Sequence, residues 1–508
     1  MKTKENMLTQ LTVYGATSIA AISVLFKLFE YNPWISLIQS IFSAINASIF
    51  SRPIKYFYSM MYGIPIEPYN LNYVTKEWLN YVLKDYFIKQ CKSPETRKVI
   101  DFRVIPFADG AMGESGRILL TYNEANLNPK LPDSIVCKLC RKDLKFRIVN
   151  VNGAVYKEIL FYQTFTGVTP LRMPKLIFSN LDGFFWHAHD YVLLTEDIQP
   201  AETIINGKDI RTYFEGRYKF QDTSVTRPCL NMEDVENVVK AITEHHAYFI
   251  NNDSIIKQKN EFLGPGLLAL LNTNYSRKKF VAERKKFSTF IQSLAWPMTK
   301  NRQKKGEMPS TPWPNEFVNK IDKMCANLLE NILLHEDEME CKWPVGPCHG
   351  DLQPMNILKK TDGTKELVFI DFQLTQFMEG HLDLSYFLQW VFPPEIRKVN
   401  EERLVKLSYD IMINGGMDGS IYPFSLYFLR YKVLGAYALG RMCISCGNIE
   451  GEKDLHLVAM LYESCNAFLN DHGDMYENWK ESVRIRKELL NLKKKRDAVH
   501  QDDLKSSY

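Results

Sequence analysis

Apolar and polar residues follow three different rhythms along this chain. From Met7 to Phe26, and again from Tyr31 to Ser51, no charged residue occurs. The first run, MLTQLTVYGATSIAAISVLF, is 20 residues long, enough to cross a bilayer core as a helix at about 1.5 Å per residue. Thr9, Gln10, Thr12, Thr17, Ser18 and Ser23 dilute its apolar character. The second places Trp34, Ile35, Leu37, Ile38, Ile41, Phe42, Ile45, Ile49 and Phe50 at near-helical spacing, an amphipathic stripe suited to a membrane surface. A pair of docking helices is the competing reading; membrane attachment through residues 7–50 is the expectation.

From about 100 to 198 the rhythm shortens to strands: VIDFRVIPF, RILLTY, SIVCKLC and YVLLTEDI, with one helix, NGAVYKEILFYQTF, between the last two. From about 231 to 480 helical spacing dominates, as in VENVVKAITEHHAYFI, broken by a strand pair around PMNILKK and ELVFIDF. A strand-rich unit followed by a helix-rich one predicts an α+β chain with a cleft between two lobes. Thr75 is the expected N-cap of a helix through Trp78, Leu79, Val82, Leu83 and Tyr86. The expected units are membrane-associated helices at 1–64, an N-lobe at 65–198, a C-lobe at 199–480 and a basic tail at 481–508.

Composition narrows the function classes. Of 508 residues, 45% are hydrophobic and 24% charged, which excludes a disordered or low-complexity chain. Lys plus Arg is 63 against 59 Asp plus Glu, a net charge of +4, so nothing general points to nucleic acid. Ten cysteines are too dilute for a disulfide scaffold and suit a reducing compartment. Cys137 and Cys140 flank Lys138 on a strand, where positions i and i+3 face opposite sides, so no zinc site is expected there. His245 and His246 sit in a helical run and are expected to pack or face solvent. Basic clusters at 277–305 and at Lys493–Arg496 read as solvated faces, with anionic lipid as an alternative partner.

The chemistry concentrates in CHGDLQPMNIL, carrying His349, Asp351 and Asn356, and in VFIDF with Asp371. Asn356 and Asp371 are hard oxygen donors able to hold Mg²⁺ against phosphate oxygens. Asp351 is then placed to take the proton of an attacking hydroxyl, and His349 to fix the loop. Lys138, a charge inside the apolar strand SIVCKLC, needs a buried partner. Glu158, 20 residues later on the predicted helix, provides one, the arrangement by which kinases position ATP phosphates. Gly110, Gly113 and Gly116 in FADGAMGESGRILLTY are expected to form a turn whose backbone approaches those phosphates. YVLLTEDI is expected to lead to the lobe connection, with the backbone of Thr195, Glu196 and Asp197 near an adenine ring.

With these residues the chain resembles the aminoglycoside/choline-kinase-like phosphotransferases, and most the ecdysteroid-kinase-like (CHK kinase-like) branch, over roughly 70–475. The resemblance rests on IVCKLC, YKEILFYQTF, LLTEDI, HGDLQPMNIL, IDFQ and HLDLSYFL. It implies a two-lobed protein-kinase-like fold and ATP-dependent phosphorylation of a small-molecule hydroxyl, on a steroid-like, xenobiotic or amino alcohol. It also implies that Asp383 braces the catalytic loop. Gln353 stands where CHK-like sequences often carry Trp, which resembles aminoglycoside and choline kinases instead. Gly350 replaces the Arg of protein kinases, Gln373 follows Asp371–Phe372, and no A-P-E sequence occurs. Two alternatives stand beside this reading: a catalytically silent, membrane-tethered scaffold, and a choline- or ethanolamine-type kinase. ATP and reduced thiols place the kinase region in the cytosol.

Overall fold

The computed structural model describes residues 60–61, 65, 68, 70–89, 97–107, 113–123, 131–140, 154–182, 190–205, 230–250, 340–341, 343–446, 464 and 466–506. The uncharged runs within 7–51, the basic stretch 277–305 and Gly110 lie outside the described residues. Among those described, no helix is long and apolar enough to cross a membrane.

The N-terminal lobe is a five-stranded antiparallel sheet. Its strands are β1 (Val99–Pro106), β2 (Gly113–Tyr122), β3 (Ser134–Cys140), β4 (Leu176–Asp182) and β5 (Asp190–Glu196), in the order β1-β2-β3-β5-β4. Alternation in β3 puts Ile135, Cys137 and Leu139 on one face, fully buried, and frees Lys138 for the other. Helix α1 (Lys76–Lys89) covers the apolar face with Trp78, Leu79, Val82, Leu83 and Phe87. Its first turn is capped as expected, Thr75 Oγ1 accepting the Trp78 N–H at 3.2 Å. Strand β4 is not foreshadowed by the pattern. Ser179, Asn180 and Asp182 are poor strand formers, and its register on β5 slips between Leu176 and Phe178.

Helix α2 (Ala154–Phe165) packs by Phe161, Tyr162 and Phe165 into the larger core of the C-terminal lobe. That lobe is built on α3 (Met232–Ile250), α4 (His381–Val391), α5 (Pro394–Asn414), α6 (Phe424–Cys446) and α7 (Met475–Ser506). Every residue of α4 is buried, so it is the axis of the lobe. Short strands β6 (Ala201–Thr203), β8 (Ile357–Lys360) and β9 (Leu367–Phe369) form one sheet, and β7 (Gly346–Cys348) pairs with β10 (Gln376–Met378). The boundary expected at 480 falls inside α7. Trp479, Ser482, Val483 and Arg486 bury one face of that helix, with Arg486 Nε donating to the Cys341 carbonyl at 2.9 Å. What the composition marks as a basic tail is thus anchored over its first turns.

Candidate active site

The β7–β8 connection and the turn after β9 converge beneath the N-lobe sheet. Ile357 pairs with Phe369, and the Ile370 N–H donates to the Asn356 carbonyl at 3.0 Å. Asn356 and Asp371 therefore lie at the same end of one hairpin. Asp371 takes up φ 67°, ψ 64°, left-handed geometry that is costly for a residue with a Cβ. Gln373 Nε2 donates to its Oδ2 at 3.2 Å.

Lys138 reaches this turn from the opposite lobe. Its ammonium donates to Glu158 Oε2 and to Asp371 Oδ1, each at 2.7 Å. Burial works against the Lys138 charge, yet Asp371 and Glu158 outweigh it and hold its pKa well above the ordinary lysine value. Glu158 moves the other way: burial, with the Asp371 charge adding, pushes its carboxyl up to about 7 against the pull of Lys138. One ammonium is thus shared between two carboxylates from different elements at the lobe boundary.

The loop 349–356 is held from three directions. Asp383 in α4 accepts the His349 and Gly350 N–H groups, each at 2.8 Å, and is bridged to α3 by His246 Nε2 at 3.1 Å. The Asp351 N–H donates to His349 Nδ1 at 3.3 Å, so Nε2 carries the ring proton and donates to the Ile370 carbonyl at 2.9 Å. Asn356 Nδ2 donates to the Asp351 carbonyl at 2.9 Å and to its Oδ2 at 3.3 Å. Those bonds occupy the Asn356 amide hydrogens and leave Oδ1 as the atom for a metal ion. With the Asp371 carboxylate it forms a hard oxygen donor set that fits Mg²⁺.

Other predicted residues are placed differently. Gly113 and Gly116 belong to strand β2 rather than to a turn, opposite Cys140 and Cys137. A Cβ on Gly113 would press on the Tyr191 hydroxyl, and one on Gly116 would come 2.8 Å from Leu71 Cδ1, so those side chains would have to shift to admit a larger residue. The carboxylates of Glu196, half-buried, and Asp197, buried, are both engaged by neighbouring side chains. Arg172 Nη2 donates to both Glu196 oxygens at 3.0 Å, and Asp197 takes Arg117 Nε at 2.6 Å and Ser134 Oγ at 2.5 Å. The two thus bolt the end of β5 to its surroundings. His245 and His246 are buried packing residues, His245 Nε2 bonding to the Pro347 carbonyl at 2.8 Å.

Two contributors escaped the sequence reading. Gln373 supports Asp371, and Tyr386 donates to Asp351 Oδ1 at 2.8 Å. Tyr386 lies three residues after Asp383, on the same helical face, a spacing that could have pointed to it.

Residues 109–414 match the ecdysteroid kinase-like family. The chain belongs to that family. The matched span contains Lys138, Glu158, the 349–356 loop, Asp371 and Asp383. Among solved structures, similarity is found to a choline kinase from Cryptosporidium parvum Iowa II, at 13% identity and TM-score 0.40, covering 77% of this chain and 90% of that one. A Plasmodium vivax ethanolamine kinase matches at 13% identity and TM-score 0.38, covering 80% and 94%. A putative aminoglycoside phosphotransferase from Ralstonia eutropha JMP134 matches at 12% and 0.37, covering 76% and 98%. No curated protein matches. In this family member a five-stranded antiparallel sheet is followed by a helix-rich lobe.

Proposed function

We propose that this ecdysteroid kinase-like protein transfers the γ-phosphoryl group of ATP to a hydroxyl of a small organic molecule. The observation that carries the reading is the Lys138 ammonium, 2.7 Å from both Glu158 and Asp371. It joins a strand of one lobe to the metal-competent turn of the other.

In this reading Lys138, held by Glu158, binds the ATP phosphates, with Asn356 and Asp371 as the Mg²⁺ ligands. The bound metal supplies charge neutralisation on the phosphoryl oxygens. The backbone of Thr195–Asp197 faces the adenine. Asp351 orients the acceptor hydroxyl and takes its proton as that oxygen bonds to the γ-phosphorus. The bond to the β–γ bridging oxygen breaks, and its electron pair leaves with ADP. His349 and Asp383 keep the loop backbone in place.

The acceptor class in this proposal is a steroid-like, xenobiotic or amino alcohol, and residues 7–50 attach the protein to a membrane with the kinase region in the cytosol. A thermal-shift titration with ATP and Mg²⁺ tests the core of the reading. The wild type is expected to gain several degrees, and Asp371→Ala to lose most of that gain. A wild type left unmoved by ATP–Mg²⁺ would instead favour a silent scaffold.

A further inference from the structure

Helix α4 sends two groups to the 349–356 loop. Asp383, in its first turn, holds the loop backbone through the His349 and Gly350 N–H groups. Tyr386, nearly one turn later on the same face, donates its hydroxyl hydrogen to Asp351 Oδ1 at 2.8 Å. Tyr386 is 9% exposed and Asp351 7%, so this bond is made in a shielded setting where it is stronger than in water. The other carboxylate oxygen, Oδ2, receives the Gln353 and Asn356 amides at 3.2 and 3.3 Å.

The origin of these donors matters. Gln353 and Asn356 ride on the same loop as Asp351 and move with it. Tyr386 stands on a helix buried along its whole length, so its hydroxyl is fixed to the frame of the lobe. A carboxylate that must accept a proton from an incoming hydroxyl needs its plane held while the reacting atoms approach. A phenol does this without cancelling the negative charge, as a Lys or Arg in its place would do.

We propose that Tyr386 is a positioning residue for phosphoryl transfer, fixing the carboxylate plane of Asp351 so that it can take the acceptor's proton. The inference rests on the phosphotransfer reading above. Tyr386 acts through Asp351, whereas the ATP contacts are assigned to Lys138, Asn356 and Asp371. Its removal is therefore expected to slow the chemical step and to spare ATP binding.

The test is Tyr386→Phe in the full-length protein, which keeps the ring and its packing near Trp390, 6.1 Å away between centroids. ATP consumption with Mg²⁺ is measured over a panel of hydrophobic alcohols, amino alcohols and glycosides, and with water alone as acceptor. The expected result is a kcat lower by about 10- to 100-fold, the range for losing a hydrogen bond to a charged group, with the KM for ATP and the ATP–Mg²⁺ thermal shift retained. A kcat within about twofold of wild type would overturn the inference. So would joint loss of kcat, ATP affinity and fold stability, which would make Tyr386 a packing residue. A second measurement does not depend on Tyr386→Phe folding: 3-fluorotyrosine placed at 386 should give a ¹⁹F resonance that moves on Asp351→Asn, and an unmoved resonance sinks the idea. A wild type that turns over none of the acceptors, water included, brings down the phosphotransfer reading and this inference with it. An active wild type with an equally active Tyr386→Phe brings down this inference alone.

Discussion

At Gly350 the backbone runs at φ +79°, and a Cβ built there would lie 2.0 Å from the Leu374 carbonyl oxygen. The arginine that protein kinases carry at this position is therefore excluded by both conformation and space. The tight approach lets Asp383 collect two successive N–H groups. Single residues also set the response to pH. Burial, aided by neighbouring His246, pushes the His245 pKa down to about 3, and burial, aided by Arg430, holds His381 well below the usual histidine range. For both, the folded pKa lies below the unfolded one, so their contribution is present above about pH 6.5 and lost as pH falls below it. Glu158, raised to about 7, runs oppositely: its contribution is present below about pH 4.5 and lost as pH rises towards 7. Two histidines against one glutamate leave stability sloping downward on acidification between roughly pH 6.5 and 5. Urea unfolding at pH 7.5, 6.0 and 5.0 should show that slope, and His245→Gln should flatten it. An equally steep slope in the variant would remove His245 as its source.

At the scale of elements, α2 is tied to the metal-competent turn by more than the Lys138–Glu158 pair. Phe161 stacks on Phe372, the residue after Asp371, with centroids 4.1 Å apart and planes at 11°. It also meets Phe165 edge-on at 4.9 Å. This contact fixes the helix that carries Glu158 relative to the turn that carries Asp371. Phe161→Ala should cost about 3–5 kcal/mol of stability, as for other buried phenylalanines. ATP–Mg²⁺ affinity, measured calorimetrically below the unfolding range, should fall as well. Unchanged affinity in a destabilised variant would show that the ion pair alone holds α2. Helical periodicity found α2 but not this contact, because a stack between residues 161 and 372 leaves no trace in either local pattern. Strand β4 escaped for a different reason: its polar residues argue against a strand, and pairing with β5 overrides that preference.

At the scale of the whole molecule, two cores meet across the site, one in the N-lobe sheet with α1 and one around α4. The Lys138–Asp371 pair spans 233 positions of sequence between them. Membrane attachment through residues 7–50 is a separate proposal, resting on two uncharged runs. Carbonate extraction of membranes carrying the full-length chain should leave it in the pellet, and its release to the supernatant would contradict a spanning segment. The cluster Lys493–Arg496 continues a helix anchored on the C-lobe, which gives any lipid contact there a fixed position relative to the kinase body.

Much of the site was readable in one dimension, because its chemistry depends on residue types at short spacing. A lysine in an apolar strand, a glutamate on the next helix, HGDLQPMN and IDF each declare a local requirement that few other arrangements share. Which atoms meet was decided by the tertiary structure. Gly113 and Gly116 lie in strand β2 against close neighbours, the carboxylates of Glu196 and Asp197 brace the end of β5, and Tyr386 meets Asp351 across 35 positions of sequence. Local patterns record what a residue is and which face it occupies. Partners brought together by folding are set by the packing of separate elements, and only the folded chain specifies that.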